Sequence, residues 1–230
     1  MWQSFCDTFV INFIKDERWR YLWNGLWVTL LVTFFAVLMG LVLGSLVAAV
    51  RSTYEHTGKL RIADLICRIY LTVIRGTPVV VQLLIIYFVI FQSVRISKIA
   101  VAIVAFGINS GAYQAEIFRS GIQSVPKGQF EAGRSLGFNY LQTMILIIMP
   151  QAVRNIIPTL ANEFIVLLKE TSIAGYIALE DLTKGADIIR SRTYSAFMPL
   201  LAVALIYLFL VVVLSYGVKK LERRLARGRA

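Results

Sequence analysis

The sequence predicts an all-α integral membrane protein with five transmembrane helices, and three observations carry that expectation. Long runs contain no Asp, Glu, Lys or Arg: 30 residues over 21–50, 19 over 76–94, 26 over 193–218, and 17 more over 99–115. The chain is 58% hydrophobic and only 16% charged, whereas a soluble domain averages about a quarter charged. Its mean hydropathy is +0.71. A helix needs about 20 apolar residues to cross a bilayer, so these four runs supply at least four spans.

Taken in order, the first span covers about 21–50. The second runs over about 62–91 with Arg68 and Arg75 in its first half and Pro78 expected to bend it. The third covers about 98–118. The fourth, about 152–172, is the least apolar, because Asn155, Asn162, Glu163, Lys169 and Glu170 interrupt it. Its length and its place between two polar loops still argue for a span. The fifth covers about 196–218. No internal repeat or long linker divides residues 1–230, so one domain is expected. The first charge-free run is too long for a signal peptide's apolar region and has bases on both sides, so no cleavage is expected.

Five spans put the two ends on opposite sides of the membrane. With the C-terminus inside, segments 51–61, 117–150 and 219–230 carry twelve Lys and Arg, and the outer segments 1–24, 92–98 and 172–195 carry eight. The sign of that bias favours an outer N-terminus and a cytoplasmic C-terminus. The net charge of +11 does not point to nucleic acid, since the bases form no single stripe and six lie in the final "KKLERRLARGRA". Cys6 and Cys67 lie on different elements with no CxxC or Cys/His cluster, so no metal site is expected. The one histidine, His56, reads as a solvated residue of an inner loop.

Inside the spans, polar groups line up. Ionisable side chains there cost about 2.5–3.5 kcal/mol on insertion scales, so they face a cavity or a partner. On the third span Asn109, Tyr113 and Glu116 fall within about 60° of helical arc. On the fourth, Asn155, Thr159, Asn162, Glu163, Lys169 and Glu170 fall within about 120°. Arg68, Thr72, Arg75 and Gln82 share a face of the second. These groups either satisfy one another across helices, for instance Arg75 with Glu116 or Glu163, or line a translocation path. In the second case Glu163 or Glu116 with Asn162 and Asn109 would accept from an ammonium group. Arg75, or N–H groups freed at Pro78, would donate to a carboxylate.

Between the third and fourth spans lies "VPKGQFEAGRSLGF", residues 125–138. Pro126 and Gly128 read as a turn. A short amphipathic helix from Gln129 follows, with Gly137 as a left-handed stop, and Pro150 reads as a break before the fourth span. Glu131-Ala132-Gly133, three residues, Gly137, nine residues and Ile147-Ile148-Met149-Pro150 together resemble the EAA motif of ABC-importer permeases. That motif reads Glu-Ala-Ala, three residues, Gly, nine residues, Ile, any residue, Leu-Pro. Gly133 replaces its second alanine and Met149 its leucine. Four further stretches resemble the polar amino acid branch of that family, in the same order: "NGLWVTLLVT" (24–33), "RGTPVVVQLLIIYF" (75–88), "NSGAYQAEIFRSGIQSVPKGQ" (109–129) and "PQAVRNIIPTLANEFIVLLKETSIAG" (150–175).

The resemblance implies a type I ABC importer architecture in a bacterial inner membrane. It implies pairing with a second permease subunit, identical or related, above two ATP-binding cassette ATPase chains that hold ATP and Mg. An extracytoplasmic binding protein would deliver an amino acid. Gln129, Glu131, Ala132, Gly133, Arg134 and Gly137, in a segment spanning about 126–150, are then the coupling helix that docks on the ATPase. Glu131 and Arg134 would fix that docking by charge-assisted bonds. In the family the residue after the "AN" of "ANEF" is not always acidic; Glu163 here would suit a basic amino acid.

No cofactor or catalytic role is expected of this chain. Its one Gly-Lys pair, Gly58-Lys59, is followed by Leu60 where a phosphate-binding loop needs Ser or Thr, and Thr53 stands where that loop needs Gly. No nucleophile–base or metal constellation supports a membrane enzyme. An ion-coupled secondary amino acid transporter is the alternative, and the inverted repeats such folds carry are not visible.

Overall fold

The computed structural model describes residues 2–227; residues 228–230, the end of the basic tail, lie outside the described residues. Every element among the described residues is helical. Helix α1 (Trp2–Phe9) leads through a π-turn and a 3-10 turn into α2 (Trp19–Thr57). Then come α3 (Arg61–Gly76), α4 (Val79–Ile85, continued as a π-turn to Ile90), α5 (Lys98–Gln123) and α6 (Lys127–Ser135). The chain closes with α7 (Tyr140–Thr143), α8 (Met149–Glu170), α9 (Leu182–Thr193) and α10 (Phe197–Arg227).

Helix α2 has 39 residues, about 58 Å at 1.5 Å per residue, and overruns its expected span at the C-terminal end. Its buried residues are nearly all small: Gly25, Thr29, Thr33, Ala36, Gly40, Gly44 and Ala48. Gly40 and Gly44 bring it close against α5, and Gly25 and Thr29 bring it against the Asp181–Leu182 start of α9. A Cβ on Gly44 would stand 2.9 Å from the Ala115 amide nitrogen and 3.0 Å from the Gly111 carbonyl oxygen. Small residues are the usual means of close helix packing in a membrane, where no hydrophobic force separates protein from lipid. The other face of α2 carries exposed Trp23, Trp27, Phe34, Leu38, Val42 and Leu46, which suits acyl chains.

Helix α5 is the centre of the molecule. Val101, Ala102, Phe106 and Ala112 are fully buried, with Val32, Ala36, Leu83 and Leu167 packed in the same core. The helix also buries Asn109, Ser110 and Gln114. Among the described residues three helices are long and apolar enough to cross a membrane, Trp19–Thr57, Tyr140–Ile177 and Phe197–Leu225; the α3–α4 pair makes a fourth if taken as one broken span. Helix α5, at 26 residues or about 39 Å, is long enough for the fifth. Its polar residues meet protein rather than lipid, which is why hydropathy undervalues it.

Three expectations need correction. The second span is not one bent helix: α3 and α4 meet at Thr77–Pro78 with a turn of 110°. Pro78 has no N–H to donate and pushes Thr77 into extended backbone (φ −124°, ψ 148°). Pro150, in turn, is no break. The helix runs on from Tyr140 to Ile177 because the π-turn over Met144–Ile148, closed by Met149 N–H on the Met144 carbonyl, shifts the register before the proline. Finally, 172–195 is not simply a loop, since it contains α9. Asp181 caps that helix through the N–H groups of Thr183 and Lys184. Leu182, Ala186 and Ile189 pack on Phe13 and Leu22, and Gly185 lies against the backbone of Tyr21.

Candidate functional site

Helix α6 starts at Pro126, whose carbonyl accepts from the Gln129 N–H at 2.9 Å. Lys127 and Gly128 therefore lie within the helix rather than in a preceding turn. It ends as the glycine predicts. Gly137 has φ +82°, a left-handed conformation that costs a residue with a Cβ. The Phe138 N–H reaches the Gly133 carbonyl at 3.1 Å and the Gly137 N–H that of Arg134 at 2.9 Å, the paired bonds of a Schellman stop. Asn139 and Gln142 then form a reciprocal capping box that starts α7. Two rigid helices thus meet at a sharp corner.

Of the six residues expected to couple, five lie on the exposed side: Gln129, Glu131, Ala132, Arg134 and Gly137. Glu131 and Arg134 form no ion pair among the described residues. Gly133 is the exception. It is buried, and a Cβ there would stand 2.6 Å from Thr143 Cγ2 and 3.0 Å from Ile147 Cδ1. Behind α6, a cleft of about 940 Å³ separates it from the C-terminal ends of α2 and α5. His56, expected to be a solvated loop residue, stands instead in the last turn of α2 at the edge of this cleft, with ring contacts to Phe130 and Tyr140.

The intramembrane polar residues separate into a latch, an ion cluster and an outward face. Asn109 belongs to the latch. It is 3% exposed and donates Nδ2–H to Gln82 Oε1 at 2.9 Å. Gln82 Nε2 in turn donates to the Ile74 carbonyl at 2.7 Å, the Thr77 carbonyl at 3.0 Å and Thr77 Oγ1 at 2.8 Å. Oxygens left without helical partners at the α3–α4 break are satisfied this way, as buried backbone demands. Asn109 therefore does not line an open path. The pattern that hid this was its shared arc with Tyr113, which cannot distinguish facing a cavity from facing another helix.

Arg75, Tyr113 and Glu116 do come together. Arg75 Nη1 lies 3.4 Å from Glu116 Oε2, its guanidinium is 5.9 Å from the Tyr113 ring centroid, and Arg119 Nε also donates to Glu116 Oε1, at 2.9 Å. Of the two pairings left open for Arg75, the structure takes Glu116. A cleft of about 500 Å³ beside it is lined by Arg51, Arg68, Thr72, Arg75 and Glu116. Buried Asp64, which no motif or polar stripe marks, holds Arg68 at 2.7 Å and Arg51 at 3.6 Å.

On α8, Thr159 and Asn162 are exposed and Glu163 is half-buried. Thr159 back-bonds to the Asn155 carbonyl at 3.2 Å. Glu163 receives one long hydrogen bond, from Ser110 Oγ at 3.5 Å, and no cation pairs with it among the described residues. Ser110 lies roughly 60–120° around α5 from Tyr113 and Glu116, so the two groups occupy adjacent faces of the same helix. A carboxylate this weakly satisfied in a partly desolvated place retains capacity for a cation.

Residues 40–227 match the family described as "Binding-protein-dependent transport system inner membrane component". The "Putative glutamine transport system permease protein GlnP" of Rickettsia typhi is 40% identical over 163 residues, covering 70% of this chain and 75% of that one. The "Glutamine transport system permease protein GlnP" of Escherichia coli strain K12 is 40% identical over 167 residues, covering 71% and 76%. Among solved structures, one described as an amino acid ABC transporter with histidines matches at a TM-score of 0.85 and 41% identity, over 91% of this chain and 96% of that one. An inward-facing MetNI methionine ABC transporter matches at 0.74 and 20% identity, over 89% and 95%, a likeness of fold.

Proposed function

Since the chain belongs to the binding-protein-dependent inner membrane component family, we propose that it is the permease subunit of an ATP-driven ABC importer that carries a polar L-amino acid into the cytoplasm by alternating access, with Glu163 suiting a basic one. It is a transport subunit rather than an enzyme. ATP and Mg²⁺ belong to a partner ATPase, and the ion-coupled alternative has no support of this kind. The observation that carries the reading is α6: a short helix closed by a Schellman stop, whose exposed Glu131 and Arg134 form no ion pair among the described residues and whose inner face is seated on α7 and the π-turn through Gly133.

Two ATPase chains would grip α6 here and its counterpart in a second permease subunit, identical or related. ATP-driven closure would draw the two helices together and rock the bundles outward, and hydrolysis would let them return. An extracytoplasmic binding protein would deliver substrate on the outer side. With five spans, an outer N-terminus and a cytoplasmic C-terminus, α9 would lie on that side. Within the membrane, Thr159, Asn162 and Glu163 would line the exposed face that a second subunit closes into a path. Arg75, Tyr113 and Glu116 would flank it. Asn109 would act behind them, by holding the broken helix in shape.

Co-purification with a co-expressed ATP-binding cassette ATPase, followed by reconstitution with a panel of amino acids, tests the assignment. Stimulated ATP hydrolysis and uptake by at least one polar amino acid is the expected result; transport that persists without the ATPase would refute it. Orientation is checked in a chain whose Cys6 and Cys67 have first been replaced by serine. Gln129→Cys should then react with an impermeant maleimide only from the cytoplasmic side, and Ser93→Cys only from outside. Reversed labelling would overturn both the orientation and the coupling role.

A further inference from the structure

We propose that His56 is a positioning residue that carries the movement of the coupling helix into the α2–α5 pair; this rests on the importer reading above. The argument begins with how α6 is attached. On one side it sits on Thr143 and Ile147 through Gly133, so close that a Cβ would not fit, and it therefore moves as one piece with the start of the fourth span. Toward α2 there is no such seat. The cleft of about 940 Å³ opens there, with Ala48, Ser52 and Glu55 on one wall and Glu131 and Arg134 on the other.

One ring bridges the gap. The His56 imidazole lies 5.9 Å from the Phe130 ring of α6 with 19° between planes, and 4.8 Å from the Tyr140 ring at the start of α7 with 31° between planes. Its own orientation is set from α2. His56 Nδ1 is 2.8 Å from the Ser52 carbonyl, which can only accept, so Nδ1 carries the proton. Tyr140 is fixed to the same turn, with its hydroxyl 3.0 Å from Ser52 Oγ and 3.4 Å from His56 Nδ1. The ring is thus locked to α2 by a hydrogen bond and touches both arms of the α6–α7 corner.

The helix that receives this contact is the one best placed to pass it on. Helix α2 packs closely on α5, with Gly44 against its backbone and Gly40 against the Ser110 and Gln114 side chains, and α5 carries Tyr113, Glu116 and Ser110, the partner of Glu163. Motion of α6 reaches α8 through Gly133 and α5 through the short 124–126 link and the apolar cluster around Val125 that Ile122 and Phe130 share; it reaches α2 through His56 and the Tyr140–Ser52 hydrogen bond. With the ring removed, the route to α2 keeps only that one hydrogen bond across the cleft.

The test uses the whole transporter, permease with its co-expressed ATPase and binding protein, in proteoliposomes given labelled glutamine and arginine. In His56→Ala, assembly and basal ATP hydrolysis should stay within about twofold of the parent. Uptake per ATP hydrolysed should fall about five- to tenfold, the scale of a lost ring contact. His56→Phe, which keeps a flat ring between Phe130 and Tyr140, should recover most of that ratio. Unchanged uptake per ATP in His56→Ala would overturn the proposal. So would loss of assembly in both variants, since the ring would then hold the segment's structure rather than transmit its motion. Failure of the parent chain to couple to its ATPase would instead sink the importer reading, and this inference with it.

Discussion

Replacing Gly133 with leucine should abolish amino acid uptake while leaving the chain inserted in the membrane. The space is already taken. A Cβ alone would stand 2.6 Å from Thr143 Cγ2 and 2.9 Å from Thr143 Oγ1, with Ile147 Cδ1 at 3.0 Å behind them, and Thr143 is itself 1% exposed. Overpacking of this kind costs about 1–3 kcal/mol. The structure's cheapest relief is to lift the nine-residue α6 off its seat, since that helix has few other attachments. A coupling helix displaced by even a fraction of a turn presents Glu131 and Arg134 in the wrong place to its ATPase. The resemblance to the EAA motif sharpens the test, because that motif carries alanine at this position. Here Thr143 fills the room an alanine methyl would need. Gly133→Ala should therefore impair uptake mildly, and Thr143→Ala made alongside it should restore uptake. Normal uptake in Gly133→Leu, with the protein in the membrane fraction, would show that this seat does not matter for coupling.

The second large effect is expected at Glu163. Its carboxylate is half-buried, receives one hydrogen bond from Ser110 at 3.5 Å, and has no pairing with Arg75, which is engaged by Glu116. Internal neutralisation by Arg75, the competing explanation, is therefore absent, which leaves Glu163 free to take a substrate cation in the proposed path. Glu163→Gln keeps shape and removes charge. Loss of the partner of a desolvated cation costs about 2–5 kcal/mol, so uptake of arginine or lysine should fall roughly thirtyfold or more. Uptake of neutral polar amino acids should fall less if Glu163 meets the side chain, and equally if it meets the α-ammonium group. Basal ATP hydrolysis and assembly should survive. Unimpaired uptake of every amino acid in an assembled Glu163→Gln transporter would remove Glu163 from the path and the lean toward basic substrates with it.

The position of α9 shows what a local pattern misses. The stretch has an Asp181 cap and apolar residues at 182, 186 and 189, which is a readable helix signal. Its low hydropathy and short length read as an outer loop, because nothing nearby in sequence marks Tyr21 and Leu22 of α2 as its floor. The broken second span is a similar case. Pro78 marked a bend, yet its size of 110° depends on Gln82 and Asn109, 27 residues apart, satisfying oxygens that a gentler bend would have kept in the helix. Among the candidate site residues, the α6 segment was legible in detail, down to the left-handed glycine, because turn and stop chemistry is local. The stripe of Asn109, Tyr113 and Glu116 was legible only as a stripe.

By itself the sequence determined the membrane class, the helical composition, the coupling-segment motif and its stop, and the set of polar residues that must be paid for by partners. These follow from hydropathy, backbone sterics and the cost of polar groups in lipid, each set within a few turns of chain. Only the tertiary structure decided which partner each polar residue found. It gave Arg75 to Glu116 rather than Glu163, turned Asn109 inward to Gln82, placed Thr143 against Gly133, and set the lone histidine between Phe130 and Tyr140. Pairings between distant helices depend on crossing angles and on which glycines let backbones touch, and residue spacing along one helix carries no record of either.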